Sequence, residues 1–287
     1  MYFAPRQQLS ALEISGAESA EFLNDLLTAQ IAKLEVGAAQ AACLLSPQGR
    51  ILFDMLVFRP EPDKFWLQLP LSEVPDFRKR LMMYRLRRPV GIEICSDWAS
   101  NILFTETQSD SDLPEIGFLD PRDAALGRHI VGVSAANMPD TITEVEESRW
   151  DKLRINRNVP EGPVDLIRNR ALMLEAGFEH LNAVDFSKGC YIGQEVTART
   201  HYRGLVKKRI LTVRCATGGL EPEMQISHKD VVIGQTLSCA ADGTRALAIL
   251  RLDAVKAHLE AGSHLTADTA EITIHYPAHL PEIRFPE

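Results

Sequence analysis

One stretch of the chain gathers groups that core packing does not ask for: Lys188-Gly189-Cys190-Tyr191-Ile192-Gly193-Gln194-Glu195. It sets a thiol between two glycines and surrounds it with an ammonium, a phenol, an amide and a carboxylate. Glycine there lets the backbone turn tightly or lets another group come close. Lys188 and nearby Arg199 would favour the thiolate, which is the nucleophilic and metal-binding form of cysteine. The competing reading is a glycine-rich loop with a small buried cysteine, since free cysteine mostly packs. The polar neighbours weigh toward chemistry.

The remaining cysteines do not suggest a second site. Cys43, Cys95, Cys215 and Cys239 are scattered, and an odd total of five fits neither a disulfide framework nor a zinc module. Cys43, Cys215 and Cys239 lie in apolar or strand-like runs and read as packing residues. The eight histidines hold no H-E-x-x-H pattern, and Pro277 breaks the helix that would align His275 with His279. The sequence therefore shows no metal site of this chain's own, which leaves room for a cluster held between it and a partner. A net charge of −8 argues against non-specific nucleic-acid binding by the whole protein. Two basic clusters stand out locally: Arg78, Lys79, Arg80, Arg85, Arg87 and Arg88, and Arg199, Arg203, Lys207, Lys208 and Arg209. Each reads as a solvated face or as a seat for an anionic ligand such as a carboxylated tail.

These groups need elements to position them. The 287 residues exceed what one hydrophobic core usually holds, so two or three units are expected. With 45% apolar and 24% charged residues the composition is that of a soluble globular protein. No apolar run reaches the length of a membrane span. The start, Met1-Tyr2-Phe3-Ala4-Pro5-Arg6, lacks the apolar core of a signal peptide. The default expectation is a cytoplasmic protein with no nucleic-acid or membrane partner.

Helical spacing of Phe22, Leu23, Leu26 and Leu27 predicts a helix over 17–27. Residues 38–45 and 50–58 read as a hairpin turned by Ser46-Pro47-Gln48-Gly49, with a third strand from Lys64 to Leu69. Ser72 can cap a helix running to about Tyr84, stopped by Pro89. Short strands follow at 92–94 and 102–104, then a polar connection over 108–127 and a weak helix over 141–155. Pro160, Gly162 and Pro163 make 156–170 irregular. Beyond Lys208 the pattern changes to short strands, among them 231–233, 246–252 and 272–274, separated by turn residues. That spacing predicts a small all-β barrel or sandwich beginning near residue 206.

Three segments together resemble one family. They are Leu44-Leu45-Ser46-Pro47-Gln48-Gly49-Arg50-Ile51-Leu52-Phe53-Asp54; Trp150-Asp151-Lys152-Leu153-Arg154-Ile155 with Pro160 beyond; and the run from Leu174-Glu175-Ala176-Gly177 through Asn182-Ala183-Val184 and the Cys190 loop to Arg199 and Tyr202-Arg203-Gly204. They are similar to the YgfZ family of folate-binding proteins that assist iron–sulfur cluster assembly, a family related to the aminomethyltransferase (T-protein) of the glycine cleavage system. The resemblance covers nearly the whole chain, and the K-G-C-Y-x-G-Q-E run is its specific part.

The resemblance implies an α+β fold. A folate-binding portion of aminomethyltransferase type would occupy 1–205, with room for a subdomain break near 108–127, and a small C-terminal β-barrel would occupy 206–287. The parts would surround a central channel holding tetrahydrofolate. It implies a role in maturing 4Fe–4S enzymes, radical-SAM enzymes among them, with iron–sulfur assembly proteins or client enzymes as partners and a monomeric state. By residue, Cys190 is the functional thiol, and Glu175 accepts N–H bonds from the pterin as a carboxylate accepts two from arginine. Trp150 stacks on the pterin face, and Arg199 pairs with an acid or the folate tail. Lys188, Gly189, Tyr191, Gly193, Gln194 and Glu195 shape the loop.

The chain also departs from the transferase pattern. The transferase's adjacent acid pair is Phe53-Asp54 here, Pro70 stands where it has an asparagine, and a tryptophan that contacts ligand in some relatives is Leu9. Losing a carboxylate removes a candidate for acid/base assistance, which argues against aminomethyl transfer. Two alternatives stay open. One is a true aminomethyltransferase working with a lipoyl carrier protein; the other is a folate-sensing module without chemistry.

Overall fold

A computed structural model describes residues 1–106, 113–132, 142–204, 206–262 and 264–285. Three β units pack around a common centre. The first sheet runs β3(Ala39–Leu45), β4(Ile51–Glu61), β5(Lys64–Pro70), β2(Leu9–Ser15), β6(Gly91–Ile94). The second runs β10(Thr143–Glu144), β1(Tyr2–Pro5), β7(Ser100–Phe104), β9(Arg128–Val131), β8(Phe118–Leu119). The third is a closed barrel, β11(Lys208–Arg214), β14(Arg245–Arg251), β13(Val231–Cys239), β12(Gln225–His228), β15(Leu265–Ala267), β16(Ala270–His275).

The first sheet is buried on both faces, and the two-residue period of a strand divides its side chains between two cores. Along β3, Ala42 and Leu44 enter the core formed with helices α1(Ser19–Leu26) and α2(Val74–Arg85), while Ala41, Cys43 and Leu45 enter the central core. In β4, Phe53, Met55 and Val57 face the helices, and Leu56 and Phe58 face the centre. Asp54 shares the parity of Leu56 and Phe58 and is therefore carried inward, opposite Cys43 in the antiparallel register. The central core also takes Phe104 from the second sheet, Trp150 and Ile155 from helix α3(Glu147–Asn156), and Ile210 and Leu247 from the outer wall of the barrel. The barrel has its own interior of Leu211, Val213, Ile226, Ala248 and Leu250.

The predicted hairpin, the strand after it and the helices over 17–27 and 72–84 are present, with shifted ends. Ser72 is not a cap. It lies in a 3₁₀ turn, and Glu73 occupies the cap position of α2 without a side-chain bond to it. The predicted helix over 141–155 is β10 followed by α3, because Thr143 and Glu144 pair in parallel with Tyr2 and Phe3. Leu252 does not end a strand; it opens helix α5(Leu252–Ala261). Of the 108–127 connection, residues 108–112 lie outside the described residues, and 113–127 contain β8 and the 3₁₀ turn Ala124–Leu126.

At the centre sits a buried ionic hub. The Glu161 carboxylate receives Arg6 at 2.7 Å and Arg122 at 2.6 Å, with Arg154 at 3.9 Å. Arg122 also clasps the fully buried Asp120, which bonds His129 of β9 at 2.9 Å. Arg154 pairs with Asp165 at 2.8 Å, and the other oxygen of Asp165 accepts the Ser238 N–H of barrel strand β13. Three guanidinium groups hold Glu161 ionised despite its burial.

Asp54, beside this hub, has no such partner. It accepts the Gly162 N–H at 3.1 Å, and burial raises its pKa from 3.8 to about 6. A carboxyl whose folded value is raised binds its proton more tightly in the folded state, so it penalises folding once ionised. That penalty is full above about 6 and vanishes below 3.8. Asp54→Asn, which mimics the protonated group, is therefore expected to raise the unfolding free energy at pH 7 by about 3 kcal/mol. The gap to the wild type should close as pH falls from 6 to 4, as followed by urea denaturation at each pH; superimposable curves would contradict the assignment.

Candidate functional site

The Cys190 loop is built from the inside out. Asp185 starts it: its N–H bonds the Thr28 carbonyl, and its Oδ1 accepts from the Ser187 and Lys188 backbone. Thr28 is itself tied to β3, accepting the Cys43 N–H and donating to the Ala183 carbonyl. Lys188 then turns inward. Its ammonium donates to the carbonyls of Asn24, Leu27 and Ala29 and so satisfies the open end of α1. Burial pushes this ammonium down to about 8. Lys188 thus anchors the loop, and the expectation that its charge serves the thiol gives way to that role. Tyr191 is buried behind it, with the Lys188 ammonium 5.2 Å from its ring.

Between these two buried anchors the chain bows outward, and Gly189 and Cys190 are exposed. Of the five cysteines, Cys190 is the exposed one; Cys43 and Cys215 are buried, and Cys95 and Cys239 are half-buried. Among the described residues no group of three or more His, Cys, Asp or Glu side chains could hold a metal. The described residues therefore offer one exposed thiol and no completed ligand set.

Gln194 and Glu195, expected as loop residues, open helix α4(Gln194–Tyr202), a helix that their polar, glycine-bounded surroundings conceal in the sequence. Gly193 sits before it with φ +80°, and a Cβ there would lie 2.5 Å from the Ser46 carbonyl oxygen. The hairpin turn and the loop thus touch through glycine. Gly189 has open space instead. Arg199 is exposed on α4 and has no ion pair among the described residues.

Glu175 lies half-buried in the wall shared by two hollows. One, of about 200 Å³, is also lined by Gly49 and by Val196, Thr197 and Thr200 of α4. The other, of about 230 Å³, is lined by Asp165, Lys208, Gln235 and Ile249 toward the barrel. Burial raises the proton affinity of the Glu175 carboxyl, against the pull of Lys208 and Arg50. The structure thus brings Glu175 and the signature helix together.

Trp150 lies elsewhere. It is fully buried, donates its indole N–H to the Leu126 carbonyl at 3.0 Å and carries the Arg6 guanidinium on its ring at 4.2 Å. With no accessible face it supports the ionic hub and offers no stacking surface to a pterin.

The central cavity where a folate channel was expected measures about 40 Å³, room for a water or two. Leu9, Asp54, Gln68, Arg122, Glu161 and Phe178 are among its lining. Phe53 points to the helix-side core, so the missing acid takes nothing from this cavity. Leu9 does line it, and Pro70 is Leu9's cross-strand partner, so two departures from the transferase pattern meet at its rim. A pterin does not fit this cavity, whereas the hollows at Glu175 offer both an acceptor and space. Glu161 and Arg122 went unnoticed in the sequence; an acid between Pro160 and Gly162, in a segment with no periodicity, was the available signal.

Replacing Gly193 with alanine is expected to cost about 1–3 kcal/mol, from the left-handed backbone and the clash with Ser46. The same change at Gly189 should leave stability within about 0.5 kcal/mol. Thermal unfolding of both variants checks the pair, and equal losses would refute the division of roles.

The GCVT N-terminal domain family matches residues 6–101, and the CAF17 C-terminal beta-barrel domain family matches residues 207–282. The solved aminomethyltransferase T of the glycine cleavage system from Bartonella henselae shares the fold, with TM-score 0.74 over 99% of this chain and 87% of that one, at 14% identity. The mitochondrial iron–sulfur cluster assembly factor IBA57 of Mus musculus is 31% identical over 300 residues, covering 93% of this chain and 83% of that protein. The Homo sapiens protein of that name is 32% identical over 284 residues, covering 86% and 77%. These names overturn the expected cytoplasmic location, which rested on a start that lacks an apolar leader and reads as too short for a transit peptide. No helix among the described residues is long and apolar enough to cross a membrane. With a GCVT-type portion, a CAF17-type barrel and nearly a third of its residues shared along most of both relatives, the chain belongs to the IBA57 family of iron–sulfur cluster assembly factors.

Proposed function

We propose that the chain serves iron–sulfur cluster assembly by presenting Cys190 as a single ligand to a cluster shared with an assembly protein or a client 4Fe–4S enzyme. The observation that carries this reading is the exposed Cys190 held between two buried anchors, Lys188 and Tyr191. Clusters are held by cysteine thiolates, usually four. One thiol cannot complete such a set, so the remaining ligands come from a partner and the contact is transient. A monomer of this chain suffices for that task. Cys190→Ala is expected to leave the fold intact and to fail in restoring 4Fe–4S enzyme activity to cells deleted for the chain. Full restoration would remove the thiol from the mechanism.

The second part of the proposal is folate use of the YgfZ kind, at a different place from the channel centre. Glu175 supports it: a half-buried carboxylate without a hydrogen-bonded partner among the described residues, between two hollows, is a ready acceptor for the N–H edge of a pterin. Bound there, tetrahydrofolate would supply one-carbon chemistry. The chain's own part is to orient the pterin through Glu175, while Arg199, exposed on α4, is available to the carboxylated tail. Aminomethyl transfer is the weaker reading, since Asp54 faces a cavity too small for the folate centre. Titration with tetrahydrofolate should show micromolar binding, weakened about tenfold to a hundredfold by Glu175→Ala. Absent binding, or equal binding by the variant, would refute the assignment.

A further inference from the structure

The outer wall of the barrel carries an arrangement that the cluster role does not use. Arg214 on β11 and Arg245 on β14 are Cα partners in the antiparallel register, and Thr273 on β16 faces Arg214 from the other side. Their parity sets both arginines on the outside, since Val213 and Ala246 fill the barrel interior. Two like charges directly opposite on neighbouring strands destabilise a sheet unless something answers them. Among the described residues no carboxylate lies within ion-pair distance of either guanidinium. Arg214 donates one bond, from Nη2 to the Asn156 Oδ1 at 2.8 Å, and the Nε of each arginine is buried without a partner.

The two groups border a hollow of about 860 Å³, into which Thr217, Thr244, Thr273 and Lys152 also contribute. Two acids share the wall, and both are engaged. Asp242 bonds Lys152 at 2.5 Å and the Thr244 N–H and hydroxyl, and Glu271 pairs with His264. Neither acid reaches the arginine pair, whose two positive charges therefore have no ion-pair partner among the described residues. His275, on the same outer face of β16, registers that field: its proton affinity is lowered by burial and then by both arginines.

We infer that this hollow is a binding site for a dianionic phosphate group, free or carried on a small ester. A charge of two matches the two guanidinium groups, whereas a carboxylate answers only one. A tetrahedral set of oxygens can take two arginine forks and threonine hydroxyls together. The site lies on the barrel, separate in its lining from the Cys190 loop and the Glu175 hollows, and does not depend on the proposed cluster role.

The test uses the full chain, with inorganic phosphate, phenyl phosphate and acetate as probes. Binding is read by calorimetry and by the His275 ring resonances at fixed pH. Saturable binding of inorganic phosphate or of phenyl phosphate, with acetate at least tenfold weaker, is expected, and which of the two binds tighter identifies the source. Arg245→Gln and Arg214→Gln should each weaken binding at least tenfold, while Arg87→Gln, in the turn after α2, leaves it unchanged. The unfolding midpoint of Arg245→Gln should match or exceed the wild type, because the charge opposition is relieved, so a folding defect will not mask the result. No binding of either phosphate at millimolar concentration, equal binding of acetate, or affinities unmoved by the arginine changes would each overturn the site.

Discussion

The structure depends on one buried carboxylate. Glu161 comes from a segment without regular structure, yet it gathers Arg6 from the end of β1, Arg122 from the turn before β9, and Arg154 from α3. Through Arg154 and Asp165 the same network reaches β13 of the barrel. Three β units that share one hydrophobic core are thus also pinned by ions at its centre. Such a network contributes little net stability over an apolar core of equal volume, but removing one member strands a buried charge at a cost of several kcal/mol. Its effect is on geometry: it fixes how the sheets meet, and with that the width of the central cavity. The hub fills the centre and leaves a cavity of about 40 Å³ beside it.

Much of the first sheet was legible because strand alternation and turn chemistry are local. Ser46-Pro47-Gln48-Gly49 announces its turn, and the two apolar runs beside it announce their strands. The shorter strands were not legible. Residues 143–144 and 118–119 become strands only by pairing with β1 and β9, and a pair of residues carries no period of its own. Helix α5 was hidden because Leu252 continues the apolar run of β14 before the chain turns.

The site divided in the same way. That Cys190 stands apart from the other cysteines follows from the residue types around it. The direction of Lys188 does not, because the α1 carbonyls that claim it lie far away in the sequence. A cation beside a thiol looks like an activator, and here it is a structural clasp. Trp150 shows the reverse error. An indole suits a pterin, but Arg6 and the Leu126 carbonyl already occupy its two recognisable functions. Glu175 has oxygens with no hydrogen bond among the described residues, since its neighbours Lys208 and Arg50 act on it only through space.

The Cys190 loop presents one exposed thiol between two buried residues. Lys188, bonded to the carbonyls at the end of α1, and the buried Tyr191 hold the loop on either side of the sulfur. Anaerobic reconstitution with iron and sulfide, followed by native mass measurement, addresses this directly. The chain alone should hold no stoichiometric cluster, a complex with an iron–sulfur assembly protein should hold one, and Cys190→Ser should lose it. A stable cluster on the isolated chain, or one retained in the complex by Cys190→Ser, would contradict the account.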